Sequence, residues 1–247
     1  MFMETGIMFI ATMSKTRPGA YKRIIDVIAS VPIQSQSRYF IHVEVGIYVE
    51  IVEVWVHKTN IVLTEYGKNS EVLTNSGTYE SLLKSHYISL FAAVKGNRFM
   101  AKYITLENSA GEATQAGKRS CDEISGFVIQ NSTLTAAPDL QSNKSQVHAF
   151  LGRPWFAWST VIVMQSFLES IIDPARWYEW PGHRTDELTD REYGNWGAGA
   201  DTGRRISWVG YKALNRSKEV IAFTVSKFIQ ADSWIPDSGI LYTSGLY

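Results

Sequence analysis

Arg153 and Trp155 are the residues whose types and spacing most directly suggest chemistry. They lie in the stretch "HAFLGRPWFAWSTVIVMQS", where Gly152 and Pro154 flank the arginine. A proline disfavours helical backbone in the residue before it, so Arg153 is predicted to be extended and held in place. Its guanidinium could clamp a carboxylate, and the nearby indole offers a flat face for a sugar ring. Taken locally, a structural turn whose arginine pairs with a neighbouring acid explains the same residues.

Patterns for several other chemistries are absent or weak. The chain has no G-x-S-x-G elbow, no H-E-x-x-H pair and no Walker lysine loop, which excludes the simplest serine hydrolase, zinc protease and nucleotide-binding interpretations. The glycines of "GNWGAGADTG" lack the third position of a dinucleotide fingerprint and are predicted to form a loop. The five histidines, at positions 42, 57, 86, 148 and 183, do not have the spacing of metal ligands. No metal site is therefore predicted.

The composition excludes two further classes of partner. The 247 residues carry 24 basic and 24 acidic side chains, so net charge gives no argument for nucleic acid binding. No apolar run approaches the roughly 18 residues of a membrane span. The apolar segment "GIMFIATM" is only eight residues long and follows Glu4, where a signal peptide would carry positive charge, so it is predicted to be a first strand or at most the remnant of a leader. Cys121 is the only cysteine and cannot form an internal disulfide.

The elements that must position these residues begin with a helix and continue as strands. Apolar residues from Tyr21 to Ile28 follow helical spacing, and Pro32 ends that helix. From Tyr39 the apolar spacing changes to two, and the apolar face flips near Glu50. This change predicts two strands with Gly46 near the bend between them.

A strand motif then recurs along the chain. "ITLENS" and "FVIQNS" each end an apolar strand with Glu or Gln, Asn and Ser, and their final serines, Ser109 and Ser132, lie 23 residues apart. "VIVMQS", which ends at Ser166, is a looser third copy. Recurrence at this interval favours a solenoid in which each turn stacks on its neighbours and polar corner residues form ladders. A β-sandwich would also contain many short strands and stays an alternative at this point.

Taken together, these segments resemble the plant-type pectin methylesterases. The blocks that carry the resemblance occur in the family's order and cover most of the chain from Tyr21 to Leu246, apart from a gap in the middle. The most specific are "LGRPW" and a G-x-Y-x-E pattern at Gly46, Tyr48 and Glu50. The others are "RFMAKYITLENSAGEATQA", "WYEWPG", "REYGNWGAGA" and "SWIPDSG".

The resemblance implies an all-β fold. It is a right-handed parallel β-helix, here a shortened solenoid with an N-terminal capping helix and an irregular or helical C-terminal segment. Residues 1–247 would form a single domain with an internal deletion near 116–125. The resemblance further implies secretion to the cell wall or apoplast, although no convincing signal peptide is present. The implied reaction is hydrolysis of homogalacturonan methyl esters, without a metal or organic cofactor.

The resemblance also implies partners and site residues. Pectin is the expected partner of an otherwise monomeric chain, and a proteinaceous pectinesterase inhibitor is a candidate second partner. In the family, two aspartates act as nucleophile and general acid, and glutamine amides stabilise the oxyanion. Arg153 matches the arginine that holds the nucleophile, Trp155 the sugar-binding tryptophan, and Gln115 the first glutamine. His86 occupies the position of a substrate-contacting threonine.

The chain departs from the family where both aspartates belong. Only ten residues, "AGKRSCDEIS", separate Gln115 from Gly126, and neither the family's Y-Q-D-T segment nor its D-F-I-F-G segment occurs anywhere. Asp122 and Glu123 lie in this link but do not align with the nucleophile. No intact catalytic pair is therefore predicted. A catalytically silent pectin binder, or the product of an incomplete gene model, are the alternatives to an active esterase.

Overall fold

The computed structural model describes most of the chain, and contacts divide that chain into two compact units. Unit 1 comprises residues 1–111 and 234–241, and unit 2 comprises residues 112–233 and 242–247. The described residues are 2–4, 7–50, 52–64, 71–75, 92–94, 96–102, 104–108, 115–116, 126–136, 140–141, 147–154, 158–179, 182, 184–236 and 241–247. Within these ranges, no helix has the length and apolar character needed to cross a membrane.

In its described residues, unit 1 is built from short strands and one helix, α1 (Ile24–Ser30). Its strands are β1 (Phe2–Glu4), β2 (Ile7–Phe9), β3 (Ala11–Met13), β4 (Tyr39–Val43), β5 (Ile47–Val49), β6 (Val52–Val54), β7 (Ile61–Thr64), β8 (Glu71–Asn75), β9 (Ala92–Val94), β10 (Met100–Lys102) and β11 (Ile104–Asn108). β1 and β2 form an antiparallel hairpin. The others form three parallel sheets, in the orders β10-β7-β4-β3, β11-β8-β5 and β6-β9. Successive turns of chain thus add one strand to each sheet, which is the construction of a parallel β-helix.

Helix α1 covers one apolar face of unit 1, and charged side chains from the segments between strands bind both of its ends. Ile24, Val27 and Ile28 are buried on its inner face. The Glu50 carboxylate accepts hydrogen bonds from the backbone N–H groups of Ile24 (2.8 Å) and Ile25 (3.2 Å). The Lys58 ammonium donates to two backbone carbonyls at the other end, those of Ala29 in the last turn and of Val31 just after the helix. Negative charge at the helix start and positive charge at its end both complement the helix dipole.

Replacing Glu50 with alanine is expected to lower the free energy of unfolding by about 1 kcal/mol, because two amide groups at the helix start lose their acceptor. Glu50→Gln keeps one acceptor oxygen and should lose less. Asp26→Ala is the comparison for charge alone, because its exposed carboxylate also lies in the first turn of the helix, 3.9 Å from Arg23, so it shares the dipole interaction of Glu50. Urea unfolding followed by circular dichroism measures all three, and equal effects for Glu50→Ala and Asp26→Ala would contradict the capping role.

Unit 2 repeats the same construction with eight strands. They are β12 (Gln115–Ala116), β13 (Phe127–Gln130), β14 (Thr133–Leu134), β15 (Arg153–Pro154), β16 (Thr160–Met164), β17 (Phe167–Leu168), β18 (Thr189–Tyr193) and β19 (Tyr211–Leu214). Three parallel sheets have the orders β13-β16-β18-β19, β14-β17 and β12-β15. Short helices follow, α2 (Ser217–Val220) and α3 (Val225–Phe228), together with 3-10 turns at Ala198–Ala200, Ile221–Phe223 and Ala231–Ser233.

The corner after the longest sheet of unit 2 is repeated on three successive turns. Register pairs Gln130 with Met164 and Met164 with Tyr193, so the residues that follow are equivalent. These are Asn131, Gln165 and Gly194, and all three have left-handed backbone, with φ of 49°, 49° and 59°.

Polar side chains at the next corner position form the predicted ladder. The Ser132 N–H donates to Ser166 Oγ (3.2 Å), and the Ser166 N–H donates to Asn195 Oδ1 (3.0 Å). Beside them, the amides of Gln130 and Gln165 are joined by a 3.0 Å hydrogen bond. The backbone N–H groups of Ser132 and Ser166, which a tight corner would otherwise leave unpaired, are therefore paired with side chains of the next turn.

The structure confirms the parallel β-helix, because the three stacked sheets of each unit are parallel, whereas a sandwich would pair its strands antiparallel. Two expectations need correction. Residues 39–54 contain three strands, β4, β5 and β6, rather than two, because the ladder is interrupted at 44–46 and again at Glu50. Helix α1 begins at Ile24, whereas Tyr21 makes a β-bridge to Met13. The single-domain interpretation stays a prediction.

Candidate functional site

Strand β15 brings the first two sequence-predicted site residues together. It pairs in parallel with β12, and the register sets Arg153 opposite Gln115 and Pro154 opposite Ala116. Paired strands lie about 4.8 Å apart, so these two positions are neighbours on adjacent turns of the solenoid. The strand assignment also confirms that Arg153 has the extended backbone expected before a proline.

The following turn adds Tyr178 to this series. Gly152 forms a parallel bridge with Trp177, and the Leu151 N–H donates to the Arg176 carbonyl (2.6 Å). The Tyr178 N–H donates to the Gly152 carbonyl (3.1 Å). Tyr178 therefore lies beside Arg153 on the next turn of the solenoid, as Arg153 lies beside Gln115.

Gly152 is required by the packing beneath the strand. A Cβ atom at this position would lie 2.7 Å from Cζ3 of Trp177. The Trp177 indole is 2% exposed and packs in a cluster with Leu151 and Ile172. The glycine of "LGRPW" thus allows the bulky ring to pass directly under the strand that carries Arg153, which fixes the position of that strand.

A half-exposed aromatic pair flanks the same strand. The rings of Phe150 and Tyr178 meet edge to face, with centroids 4.9 Å apart and planes inclined by 62°. Tyr178 is 42% exposed, whereas its neighbour Trp177 is buried, as strand alternation requires. Sequence reasoning missed Tyr178, although it stands in the quoted block "WYEWPG".

The remaining residues predicted for the site are not placed by the structure. His86 and Trp155 lie outside the described residues, as do Asp122 and Glu123. Their roles remain predictions from the sequence. The G-x-Y-x-E block, by contrast, is structural: Tyr48 is fully buried and its hydroxyl donates to the Glu44 carbonyl (2.8 Å), and Glu50 caps helix α1.

Two further carboxyl groups of unit 2, Asp190 and Glu192, lie inside the solenoid. They alternate along β18 and are 2% and 3% exposed. Burial raises the pKa of Asp190 to about 8, although the nearby Arg191 guanidinium opposes the shift. Because neither carboxyl reaches the surface, neither can take the place of the missing nucleophile against a polymer substrate.

Glu192 is held by a buried ionic network. Its carboxylate pairs with the guanidinium of Arg176, and it accepts hydrogen bonds from Arg205 Nε (3.0 Å) and the Tyr211 hydroxyl (2.9 Å). Both guanidinium groups also donate to the Gly199 carbonyl. Burial, together with the positive charge of Arg205, lowers the pKa of Arg176 to about 9. The network joins three turns of chain and belongs to the core.

The chain is similar to pectinesterases in sequence. The family model described as Pectinesterase matches residues 10–117 and 113–232. Pectinesterase/pectinesterase inhibitor 18 of Arabidopsis thaliana is 27% identical over 310 aligned positions, which cover 95% of this chain and 56% of that protein. A Pectinesterase of Daucus carota is 28% identical over 304 positions, covering 92% of this chain and 95% of its own length. The chain spans about half the length of the Arabidopsis relatives it matches.

Solved structures agree on the fold. Pectin methylesterase from carrot matches with a TM-score of 0.68 and 22% identity, over 99% of this chain and all of that one. The pectin methylesterase of Aspergillus niger matches with a TM-score of 0.53 and 17% identity, over 95% of this chain and 97% of that one. At these identities the likeness bears on the parallel β-helix alone.

Proposed function

Since the chain belongs to the pectinesterase family, we propose that its substrate is methylesterified homogalacturonan. The reaction associated with this site is hydrolysis of the methyl esters to free carboxylates and methanol. The observation that carries the proposal is the register of β12 and β15, which sets Gln115 beside Arg153 on adjacent turns. In the family that the chain resembles, the residues at these two positions supply an amide that stabilises the oxyanion and a guanidinium that holds the nucleophilic carboxylate.

The reaction needs a nucleophile and an acid that this sequence does not carry at the family positions. A carboxylate nucleophile attacks the ester carbonyl while a partner carboxyl group, kept protonated, gives its proton to the departing methanol. Both family motifs are absent, and the alignment with the Arabidopsis relative has 310 positions against 247 residues here, so at least 63 positions have no counterpart. The two family matches meet at residues 113–117, which supports an internal deletion near 116–125.

This absence favours a second candidate function, retention of pectin without turnover. Trp155 and Arg153 would then act as a polysaccharide-binding pair. The names of the relatives support a pectinesterase inhibitor as a coarse partner class. We further propose that the chain is secreted to the plant cell wall and is monomeric. If the short form arises from an incomplete gene model, sequencing the transcript across Arg119–Cys121 will recover the additional coils.

Methanol release from methylesterified pectin tests the two candidates. We expect the chain as written to release methanol about 10²–10⁴-fold or more slowly than the carrot enzyme, because the acid–base group and the nucleophile are both missing. A chimera that carries the carrot segment with both aspartates between Gln115 and Gly126 should recover activity. A heat-killed sample gives the background for both.

Pectin retention is measured on the same preparations. Parent protein should be retained on immobilised pectin, and Trp155→Ala should weaken that retention. Release of methanol by the parent at the rate of the carrot enzyme would contradict the silent-binder function. Loss of both methanol release in the chimera and retention in the parent would contradict pectin as the substrate.

A further inference from the structure

We propose that Tyr178, backed by Phe150, is a substrate-positioning residue that contacts a sugar ring next to the one at Arg153 and favours methylesterified over free galacturonate units. The inference rests on the proposed function, because it assumes that pectin binds along β15. It assigns a new residue to that site and a preference for one chemical form of the polymer.

The backbone fixes where Tyr178 lies. Its N–H donates to the carbonyl of Gly152, the residue directly before Arg153, at 3.1 Å. The preceding residue, Trp177, is bridged to Gly152 and buried beneath it. One hydrogen bond and one buried indole therefore hold Tyr178 on the turn next to Arg153, at about the 4.8 Å spacing of paired strands.

The ring itself is held and also accessible. Phe150 contacts it edge to face at 4.9 Å between centroids, and 42% of Tyr178 remains exposed. A ring that is already held by a neighbouring aromatic side chain loses little conformational freedom when a ligand binds. Tyrosine also combines an apolar face with a hydroxyl, which suits a sugar that has C–H groups on one face and hydroxyls at its rim.

Charge gives the preference for esterified units. The face of an aromatic ring carries the negative part of its quadrupole and therefore disfavours an anion. Glu179, the next residue along the chain, is exposed and adds a negative charge near Tyr178, whereas the positively charged Arg153 lies one turn away, at the neighbouring sugar ring. A methyl ester is neutral and escapes both effects, whereas free galacturonate carries a carboxylate. Substrate therefore binds this platform better than product does.

Electrophoresis through gels that contain highly methylesterified pectin or polygalacturonate measures both claims. Tyr178→Ala is expected to weaken binding to esterified pectin about three- to ten-fold, in the range of one aromatic contact. Tyr178→Phe keeps the ring and should bind like the parent. Tyr178→Leu keeps apolar volume without a planar face and should bind like the alanine variant. Weakening should be smaller in polygalacturonate than in esterified pectin.

Trp196→Ala is the matched control. Trp196 is 51% exposed and also meets a phenylalanine edge to face, Phe167 at 6.4 Å. It is bridged to Phe167 from the following turn and so continues the sheet of β14 and β17, not the sheet of β12 and β15. Its removal should leave pectin retention unchanged. Thermal unfolding of each variant shows whether it is folded. If Tyr178→Ala does not fold, the comparison of Tyr178→Phe with Tyr178→Leu tests whether the planar ring is needed for binding.

The outcomes separate this inference from the proposed function. If the parent is not retained by either polymer, pectin binding itself fails. If the parent is retained and Tyr178→Ala or Tyr178→Leu is retained equally, the platform is overturned while pectin binding stands. Equal weakening in both polymers overturns the preference for esterified units.

Discussion

Replacing Glu192 with alanine is expected to lower the free energy of unfolding by about 3–5 kcal/mol, the usual cost of breaking a buried ion pair. The carboxylate is 3% exposed and is the acidic partner of both Arg176 and Arg205. Arg176 is fully buried, so it cannot turn outward to water when its partner is lost. The variant must therefore bury two guanidinium groups without a counter-charge or open the turns that enclose them.

Two variants make this result specific. Glu192→Gln keeps the volume and one acceptor oxygen but removes the charge, so its effect should fall between that of alanine and the parent. Glu219→Ala removes an exposed carboxylate from the first turn of α2 and should change stability by less than about 0.5 kcal/mol. Chemical unfolding gives all three values, and a loss below about 1 kcal/mol for Glu192→Ala would show that the arginines are not held by this residue.

Stability should fall as pH rises between about 4 and 8, and Asp190 should be responsible. Its carboxyl is 2% exposed, and within the described part of the chain its Oδ1 atom makes no hydrogen bond. Burial raises its pKa to about 8, against about 3.9 for an exposed aspartate. Between these values the folded protein keeps a proton that the unfolded chain has lost. The stabilisation is complete below about pH 4 and is lost as pH rises through about 8, at about 1.4 kcal/mol per pH unit.

Asp190→Asn isolates this effect, because asparagine is similar in shape and does not ionise. The free energy of unfolding of the variant minus that of the parent should increase steadily from pH 5 to pH 7.5. Asp186→Asn is the comparison: Arg184 lowers the pKa of this exposed carboxyl, so Asp186 is ionised throughout that range and its difference should stay flat. A flat difference for Asp190→Asn would mean that this carboxyl is hydrated or already ionised in the folded protein.

The solenoid could be predicted from the sequence because the pattern that specifies a strand and its corner is short and recurs along the chain. "FVIQNS" and "VIVMQS" became neighbouring strands, with Phe127 opposite Val161 and Gln130 opposite Met164. The residues of each copy determine one strand and the corner after it, and contacts between neighbouring turns then set the register of the strands. A further copy was missed, since Glu71–Asn75 with the serine that follows ends in the same Asn-Ser as "ITLENS" and pairs residue for residue with Ile104–Asn108.

The site and the interior charges depend on contacts that local patterns do not contain. Gln115 and Arg153 become neighbours through register alone, and only the family resemblance connected them in advance. In "TDREY" the alternation suggests that the acids face solvent, yet Asp190 and Glu192 both point inward. The reason lies far along the chain, because the two arginines that compensate Glu192 come from other turns.

The repeated left-handed corner has an evolutionary consequence. Asn131, Gln165 and Gly194 occupy equivalent positions although 34 and then 29 residues separate them. The corner geometry is therefore conserved between turns while the length of chain from one corner to the next is free to vary. A gene rearrangement that removes whole turns joins one corner to another of the same shape, whereas one that removes an odd number of residues within a strand shifts the rest of that strand's side chains to the opposite face. The turn, rather than the single residue, is the step by which such a protein can be lengthened or shortened during descent.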